Sequence, residues 1–267
     1  MSETSKSKQR AIGFRLNLGM LKFARNWLKF VMVILGIYVT MPWVAPTFAK
    51  LGLDGPANVI YTFYSPFCHQ FAFRSIYVYG EQPFYPRGVS DSGLKPFEEY
   101  AVNSEAFIDQ YQYWYTVFNQ GGTTAPPTID ALQEFSVTQQ IAARHFIGDD
   151  TVGYKTTLCA RDIAIYTMIF IGGLIYWKFR WRIRPLPFVL YLFIGLGPIA
   201  LDGFSQLLGY PPFELWPVRE TEPFFRLVTG GLFGLMSAWL GFPYIERSMQ
   251  ETIEQLEFKF RQAGYDI

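Results

Sequence analysis

The 267-residue chain is poor in charged residues, histidine and cysteine, the residue types on which most catalytic sites depend. Charged residues make up 17% of it, with two histidines and two cysteines, whereas about 25% of an ordinary soluble domain is charged. Two cysteines permit one disulfide and exclude a disulfide framework. The net charge of +1 provides no overall field to attract nucleic acid or strongly acidic partners.

Several motifs with well-understood chemistry are also absent. The sequence contains no glycine-rich phosphate loop, no H-E-x-x-H pair, no c-type haem motif and no G-x-S-x-G elbow. No reaction therefore follows from a motif, and any chemistry must come from scattered polar side chains.

What the chain has is apolar and aromatic sequence. Half of its residues are apolar and 19% are aromatic. A transmembrane helix needs about 20 predominantly apolar residues. The sequence predicts an all-α membrane protein with about four transmembrane helices, at residues 30–48, 163–177, 186–201 and 224–245.

Residues 57–79 are apolar but contain Pro66, His69, Gln70 and Arg74. A charge at the centre of a bilayer costs about 2.5–3.5 kcal/mol even on lenient scales. We therefore expect an interfacial or re-entrant helical segment here rather than a fifth span.

The predicted organisation has five parts, and the third is rich in acidic residues. They are a basic cytoplasmic N-terminal segment (1–29), the first span with the Cys-His-Gln segment (30–79), an acidic extracytoplasmic insert (80–157), a three-helix transmembrane core (158–245) and a cytoplasmic amphipathic C-terminal helix (246–267).

The basic residues predict the orientation. Residues 1–29 carry seven cations and residues 178–184 carry four. With four spans both clusters fall on one side, which the positive-inside rule makes cytoplasmic. This arrangement predicts a multi-pass protein of the inner or plasma membrane, with both termini in the cytoplasm. Five spans would place residues 178–184 outside.

Four side chains form the candidate site. Ser65-Pro66 is typical of a helix start, as is Thr156 or Thr157, so Cys68 and Cys159 are predicted in first helical turns. Helix N-termini favour thiolate over thiol. Asp162 lies three residues after Cys159, hence on the same helix face. The candidate metal ligands are Cys68, His69, Cys159 and Asp162, a donor set that suits zinc or another transition metal.

Other polar residues also fall at the predicted outer ends of the spans. They would orient the ligands from a second layer and are Arg161, Asp202, Gln206, Arg219 and Arg226. Two alternatives stay open. The two cysteines can form a structural disulfide, and the charged residues can be plain ion pairs that fasten helix ends.

The residues of these stretches resemble a prokaryotic membrane-protein family of unknown function, DUF2085. The resemblance is carried by Cys-His-Gln at 68–70 with Arg-Ser at 74–75, by Leu-Cys-Ala-Arg-Asp-Ile-Ala-Ile-Tyr at 158–166, and by the blocks at 198–209, 219–222 and 225–234. The family pattern often has cysteine at the position of Asp162. The resemblance therefore implies a metal ligand at this position, because aspartate can replace a thiolate at a metal but not in a disulfide.

Two functions are compatible with these observations. The first is a membrane protein with an extracytoplasmic metal or thiol-redox site. The second is a non-catalytic accessory subunit of a larger membrane complex, in which Cys68 and Cys159 form a structural disulfide. The expected partners are the lipid bilayer and, in the second case, other membrane subunits, with no nucleic acid.

Overall fold

The computed structural model describes the backbone of residues 3–180 and 182–265, and the side chains of residues 12–180 and 182–265. The protein is mostly helical, with 67% of its residues in helices and 5% in one small sheet. The predicted all-α membrane class is confirmed. The small sheet is an addition that the sequence did not indicate.

The elements follow the chain in a simple order. The helices are α1 (Glu3–Lys50), α2 (Asp54–Tyr64), α3 (Phe97–Ala101), α4 (Glu105–Phe118), α5 (Ile129–Gln133), α6 (Val137–His145), α7 (Ala160–Phe179), α8 (Phe188–Leu190), α9 (Gly197–Leu207) and α10 (Pro223–Gln262). The strands are β1 (Ser75–Val78), β2 (Gly148–Asp149) and β3 (Gly153–Cys159). A π-helical turn, Tyr191–Leu196, joins α8 to α9.

Four helical segments of the described chain are long and apolar enough to cross a membrane. They lie in α1, in α7, in the third span that runs from α8 to α9 (Phe188–Leu207), and in α10. The predicted number of spans is confirmed. Residues 57–79 are not one helix, because α2 has 11 residues, fewer than a span needs, and the segment ends in β1.

Helices α1 and α10 are much longer than the bilayer. At about 1.5 Å per residue, the 48 residues of α1 extend roughly 70 Å. The N-terminal half of α1 packs against the end of α10 through Leu21, Leu256 and Phe260, and Arg25 pairs with Glu257 at 2.9 Å. The amphipathic C-terminal segment is therefore continuous with the last span and docks on α1.

Glu246 joins three of the long helices at this end of the molecule. Its carboxylate accepts hydrogen bonds from Trp27 on α1 at 2.9 Å and from Arg180, at the end of α7, at 2.6 Å. The residue is buried, so its charge needs these partners to be tolerated. The contacts hold the basic end of α7 against α1 and α10.

Small residues bring α7 and α10 close together. A side chain added at Gly230 would come within 2.5 Å of the backbone oxygen of Arg161, and one added at Gly234 would collide with the backbone of Ile165. Small residues four apart let helix backbones approach in lipid, where association depends on packing. Packing against α10 therefore fixes the first turns of α7.

The insert shares an aromatic core and a sheet with the residues that come just before it. Strand β3 is central, and both β1 and β2 pair with it antiparallel. Helices α3, α4 and α6 cover a cluster in which Phe97, Phe107 and Phe146 pack edge to face. Strand β3 ends at Cys159 and α7 starts at the next residue, so the insert leads directly into the second span.

Candidate functional site

Cys68 lies in the turn that follows α2. The sequence predicted Ser65 as a helix start, but Ser65 is the C-cap of α2. The following Pro66 fits this position, since proline is common just after a helix end. The Cys68 sulfur accepts hydrogen bonds from the backbone N–H of Gln70 at 3.4 Å and of Cys159 at 3.2 Å. These bonds join two segments that are 91 residues apart in sequence.

Cys159 lies at the junction between β3 and α7. The sequence predicted Thr156 or Thr157 as the helix cap, but both belong to β3, where β-branched residues are favoured. Cys159 is the N-cap of α7 itself and pairs across the sheet with Ser75. Its sulfur lies 3.1 Å from Oδ2 of Asp162, one turn into α7.

The two thiols and one carboxylate form a compact group, which we call the thiol cluster (Cys68, Cys159 and Asp162). Their ligand atoms all lie within 4.8 Å of one another, and both cysteines are free. Three sulfur and oxygen donors at this separation can hold one transition-metal ion.

The surroundings of Cys68 favour its protonated thiol when no cation is present. The pKa of Cys68 is raised, first by its hydrogen bond with the Cys159 thiol, then by burial and by the nearby Cys159 and Asp162. This corrects the predicted helix-terminal thiolate at Cys68, because the residue is outside a helix. A bound cation would reverse the balance by compensating the negative charges.

His69 is not part of the thiol cluster. Its side chain is exposed and stacks on Phe71, with ring centroids 5.4 Å apart. A surface cavity of about 350 Å³ runs beside the cluster and is lined by Cys68, His69 and Arg144, among others. The cavity gives a small ligand a path to Cys68.

Two buried polar residues that the sequence did not single out as site residues hold the Cys68 turn in place. Gln70 has a positive φ of 55° and donates to the backbone oxygens of Tyr61 and Thr157, both at 2.9 Å. Lys155 is fully buried, and its ammonium donates to the backbone oxygens of Gln70 at 2.6 Å and Arg144 at 2.7 Å. Burial lowers the pKa of Lys155 to about 7.

A second polar group lies where α7, α9 and α10 meet. We call it the arginine–carboxylate network; its members are Arg74, Arg161, Asp202, Gln206, Tyr210, Arg219, Glu220, Thr221 and Arg226. All five residues predicted to orient the ligands are in it. Asp202 accepts from Arg161, Gln206 and Arg219, and Gln206 accepts from Arg226 at 2.8 Å.

Glu220 is the second acid of this network and was not predicted as a site residue. It pairs with Arg74 and Arg226 and accepts a 2.7 Å hydrogen bond from Tyr210. Burial alone would raise its pKa, but the two arginines lower the pKa to about 2. Glu220 therefore fastens the turn before β1 to the start of α10.

The thiol cluster and the arginine–carboxylate network are neighbours but not one site. Arg161 belongs to the network and lies between Cys159 and Asp162 in the chain. In the described part of the chain, however, no side-chain hydrogen bond joins the two groups. Arg161, which pairs with Asp202 of the network, connects the two groups through the backbone of α7.

Part of the chain matches a known protein family. Residues 140–240 match the family described as predicted membrane protein (DUF2085). The predicted resemblance is thereby confirmed for a region that includes Cys159, Asp162 and most of the arginine–carboxylate network. Cys68, His69 and Arg74 lie before the DUF2085 region.

A relative of this chain is uncharacterized protein MJ1492 of Methanocaldococcus jannaschii. The two are 36% identical over 84 residues, which is 31% of this chain and 48% of that protein. The match thus spans about half the length of this curated relative. No solved structure matches the chain.

Proposed function

We propose that this membrane protein binds a transition-metal ion, zinc by preference, through Cys68, Cys159 and Asp162. The observation that carries the proposal is the separation of the three ligand atoms, all within 4.8 Å. In a tetrahedral zinc site with Zn–S bonds of about 2.3 Å, the ligand atoms lie about 3.8 Å apart. Small side-chain shifts would close the cluster around an ion.

The hydrogen bonds to Cys68 support the same proposal. A neutral thiol is a weak acceptor, yet two backbone N–H groups point at its sulfur. Donors of this kind stabilise a negatively charged sulfur, which is the form that binds a metal. In the proposed site they offset the burial of a thiolate.

The proposed site keeps its fourth position open. Three protein ligands plus a water or substrate are typical of catalytic zinc, whereas closed sets of four are typical of structural zinc. His69 lines the adjacent cavity, through which a ligand can approach this open position. Zinc has no redox chemistry, so a zinc ion here would serve ligand binding at the helix ends.

We also propose the orientation that places this site outside the cytoplasm, in the inner or plasma membrane. The cluster lies at the end of α7 opposite its basic end at residues 178–184. The basic N-terminal half of α1 packs near that same basic end, because Trp27 and Tyr176 both stack on Phe242 of α10. The positive-inside rule then makes the basic end cytoplasmic.

The metal content of the purified protein tests the proposal. We expect about one zinc or other transition-metal ion per wild-type chain by elemental analysis after purification without chelator. Cys159→Ser and Asp162→Asn should lose it, while Asp162→Cys should retain it, because thiolate can replace carboxylate as a ligand. Asp150→Asn, at an exposed position of the insert, is the matched control.

The outcome that contradicts a metal site is also specific. Wild-type protein without metal, in which neither cysteine is alkylated after denaturation, would mean that Cys68 and Cys159 form a disulfide. Asp162→Asn would then have no effect on the thiols. That result favours the accessory-subunit alternative, in which the cysteine pair is structural.

A further inference from the structure

A cavity of about 750 Å³ lies at the opposite end of the molecule from the thiol cluster. It opens between the end of α7, the middle of α10 and the loop that leads to the third span. Its apolar wall includes Ile175, Leu235, Met236 and Trp239. Its volume is within the range of about 300–1,000 Å³ that small-molecule sites have. It is large enough for a hydrocarbon chain.

The cavity exists because small residues control the helix packing around it. Gly172 and Ala238 let α7 and α10 touch, since a side chain added at Gly172 would come within 2.6 Å of the Ala238 side chain. The third span contacts α10 closely at Gly195. The space between these two contacts remains open toward the residues that face lipid.

The rim of the cavity is positively charged. Arg182 and Arg184 line the cavity and are exposed. Among the ion pairs of the described chain, none involves either residue, whereas the nearby Arg180 is paired with Glu246. The mouth of this apolar cavity therefore carries the positive charge of two guanidinium groups, which an anionic ligand would complement.

The depth of the site in the bilayer is that of the lipid headgroups. Helix α7 ends at Phe179, just before the rim. Trp239 donates through its indole N–H to the backbone oxygen of Arg184 at 3.0 Å, and tryptophan is enriched at the membrane–water interface. The apolar wall would thus face acyl chains and the arginines would face phosphate.

From this geometry we propose that the cavity binds one phospholipid with an anionic headgroup, with an acyl chain against Ile175 and Met236 and the phosphate on Arg182 and Arg184. Arginine suits this role because its guanidinium binds phosphate through two parallel hydrogen bonds. The site is separate from the proposed metal site and does not depend on it.

Native mass spectrometry of the full-length protein in a neutral detergent tests this proposal. Phosphatidylglycerol and phosphatidylcholine with identical acyl chains are titrated separately. We expect wild type to bind one phosphatidylglycerol in preference to phosphatidylcholine. Replacing both rim arginines (Arg182→Gln with Arg184→Gln) should weaken phosphatidylglycerol binding roughly 30-fold, about five-fold for each arginine.

Two further variants separate the site from general charge effects. Arg247→Gln with Arg261→Gln removes two exposed arginines of α10 outside the cavity and should leave binding unchanged. Ile175→Trp should fill the cavity and weaken both lipids. The double variant Arg182→Lys with Arg184→Lys keeps the charge and should lose only part of the affinity.

Three results would overturn the proposal. The first is equal binding of the two lipids by wild type, and the second is an equal loss in the Arg247 and Arg261 control. The third is displacement of phosphatidylglycerol by inorganic phosphate alone at matched concentration, because the rim would then be a phosphate site without a lipid chain.

Discussion

Glu220 is the counter-charge of two of the four arginines in the arginine–carboxylate network. It is 5% exposed and lies between the guanidinium groups of Arg74 and Arg226. A buried ion pair is a weak source of stability, but removing one partner leaves an uncompensated charge. Here the loss of one carboxylate would leave two arginines without their main counter-charge.

We therefore predict that Glu220→Gln destabilises the protein by about 3–5 kcal/mol, measured as a lower thermal midpoint in detergent. Glu222→Gln is the matched control, because Glu222 is in no ion pair of the described chain. A similar loss in both variants would contradict the proposed role of Glu220.

The pKa of Glu220 also predicts a pH dependence. The pKa is about 2 in the folded protein and about 4.3 in an unfolded chain. The unfolded state therefore binds more protons between these values, and folding stability is present above pH 4.3 and lost as the pH falls toward 2. Glu220→Gln should flatten this part of the stability curve.

At the scale of elements, the contact between α7 and α10 decides where the site residues lie. Helix α7 carries Cys159 as its N-cap and Asp162 in its first turn. Gly230 and Gly234 allow α10 to approach the backbone of that same part of α7. The distance between the two helices thus controls the positions of the Cys159 and Asp162 side chains.

This contact gives an element-scale prediction. Gly234→Leu should push α7 and α10 apart. We expect it to lower stability by at least about 1–3 kcal/mol, the usual cost of overpacking, and to lower the metal content of the purified protein. Gly241→Leu is the control on the same helix, since a side chain there meets nothing within 4 Å. The two variants are compared by their thermal midpoints and by the yield of folded protein after purification. Equal values for Gly234→Leu and Gly241→Leu would contradict the role of Gly234 in helix packing.

At the scale of the whole molecule, the proposed orientation can be tested by labelling. In a background of Cys68→Ser and Cys159→Ser, a cysteine is introduced at Thr123 in the insert or at Lys259 near the end of α10, both exposed. Thr123→Cys should react with a membrane-impermeant maleimide in intact cells, and Lys259→Cys only after permeabilisation. The reverse pattern would place the thiol cluster on the cytoplasmic side.

The sequence by itself determined the membrane class and the four spans. The length and apolar content of a segment decide whether it can cross a bilayer, and both are local properties. The positions of the basic clusters are also a local property of the sequence. So is the approach of Asp162 to Cys159, because two residues three positions apart in a helix lie about one turn from each other. The charged residues at the ends of the spans could also be identified from the sequence, because they interrupt or border apolar segments.

Only the tertiary structure decided which of these residues meet. Cys68 reaches Cys159 because β1 pairs with β3 and Gln70 binds Thr157, and these contacts join residues that are far apart in the sequence. The predicted helix starts at Ser65 and Thr156 were wrong for the same reason, since strand pairing and the end of α2 outweighed local capping preference. Sequence patterns report local preference, whereas long-range packing chooses among the conformations that those preferences allow.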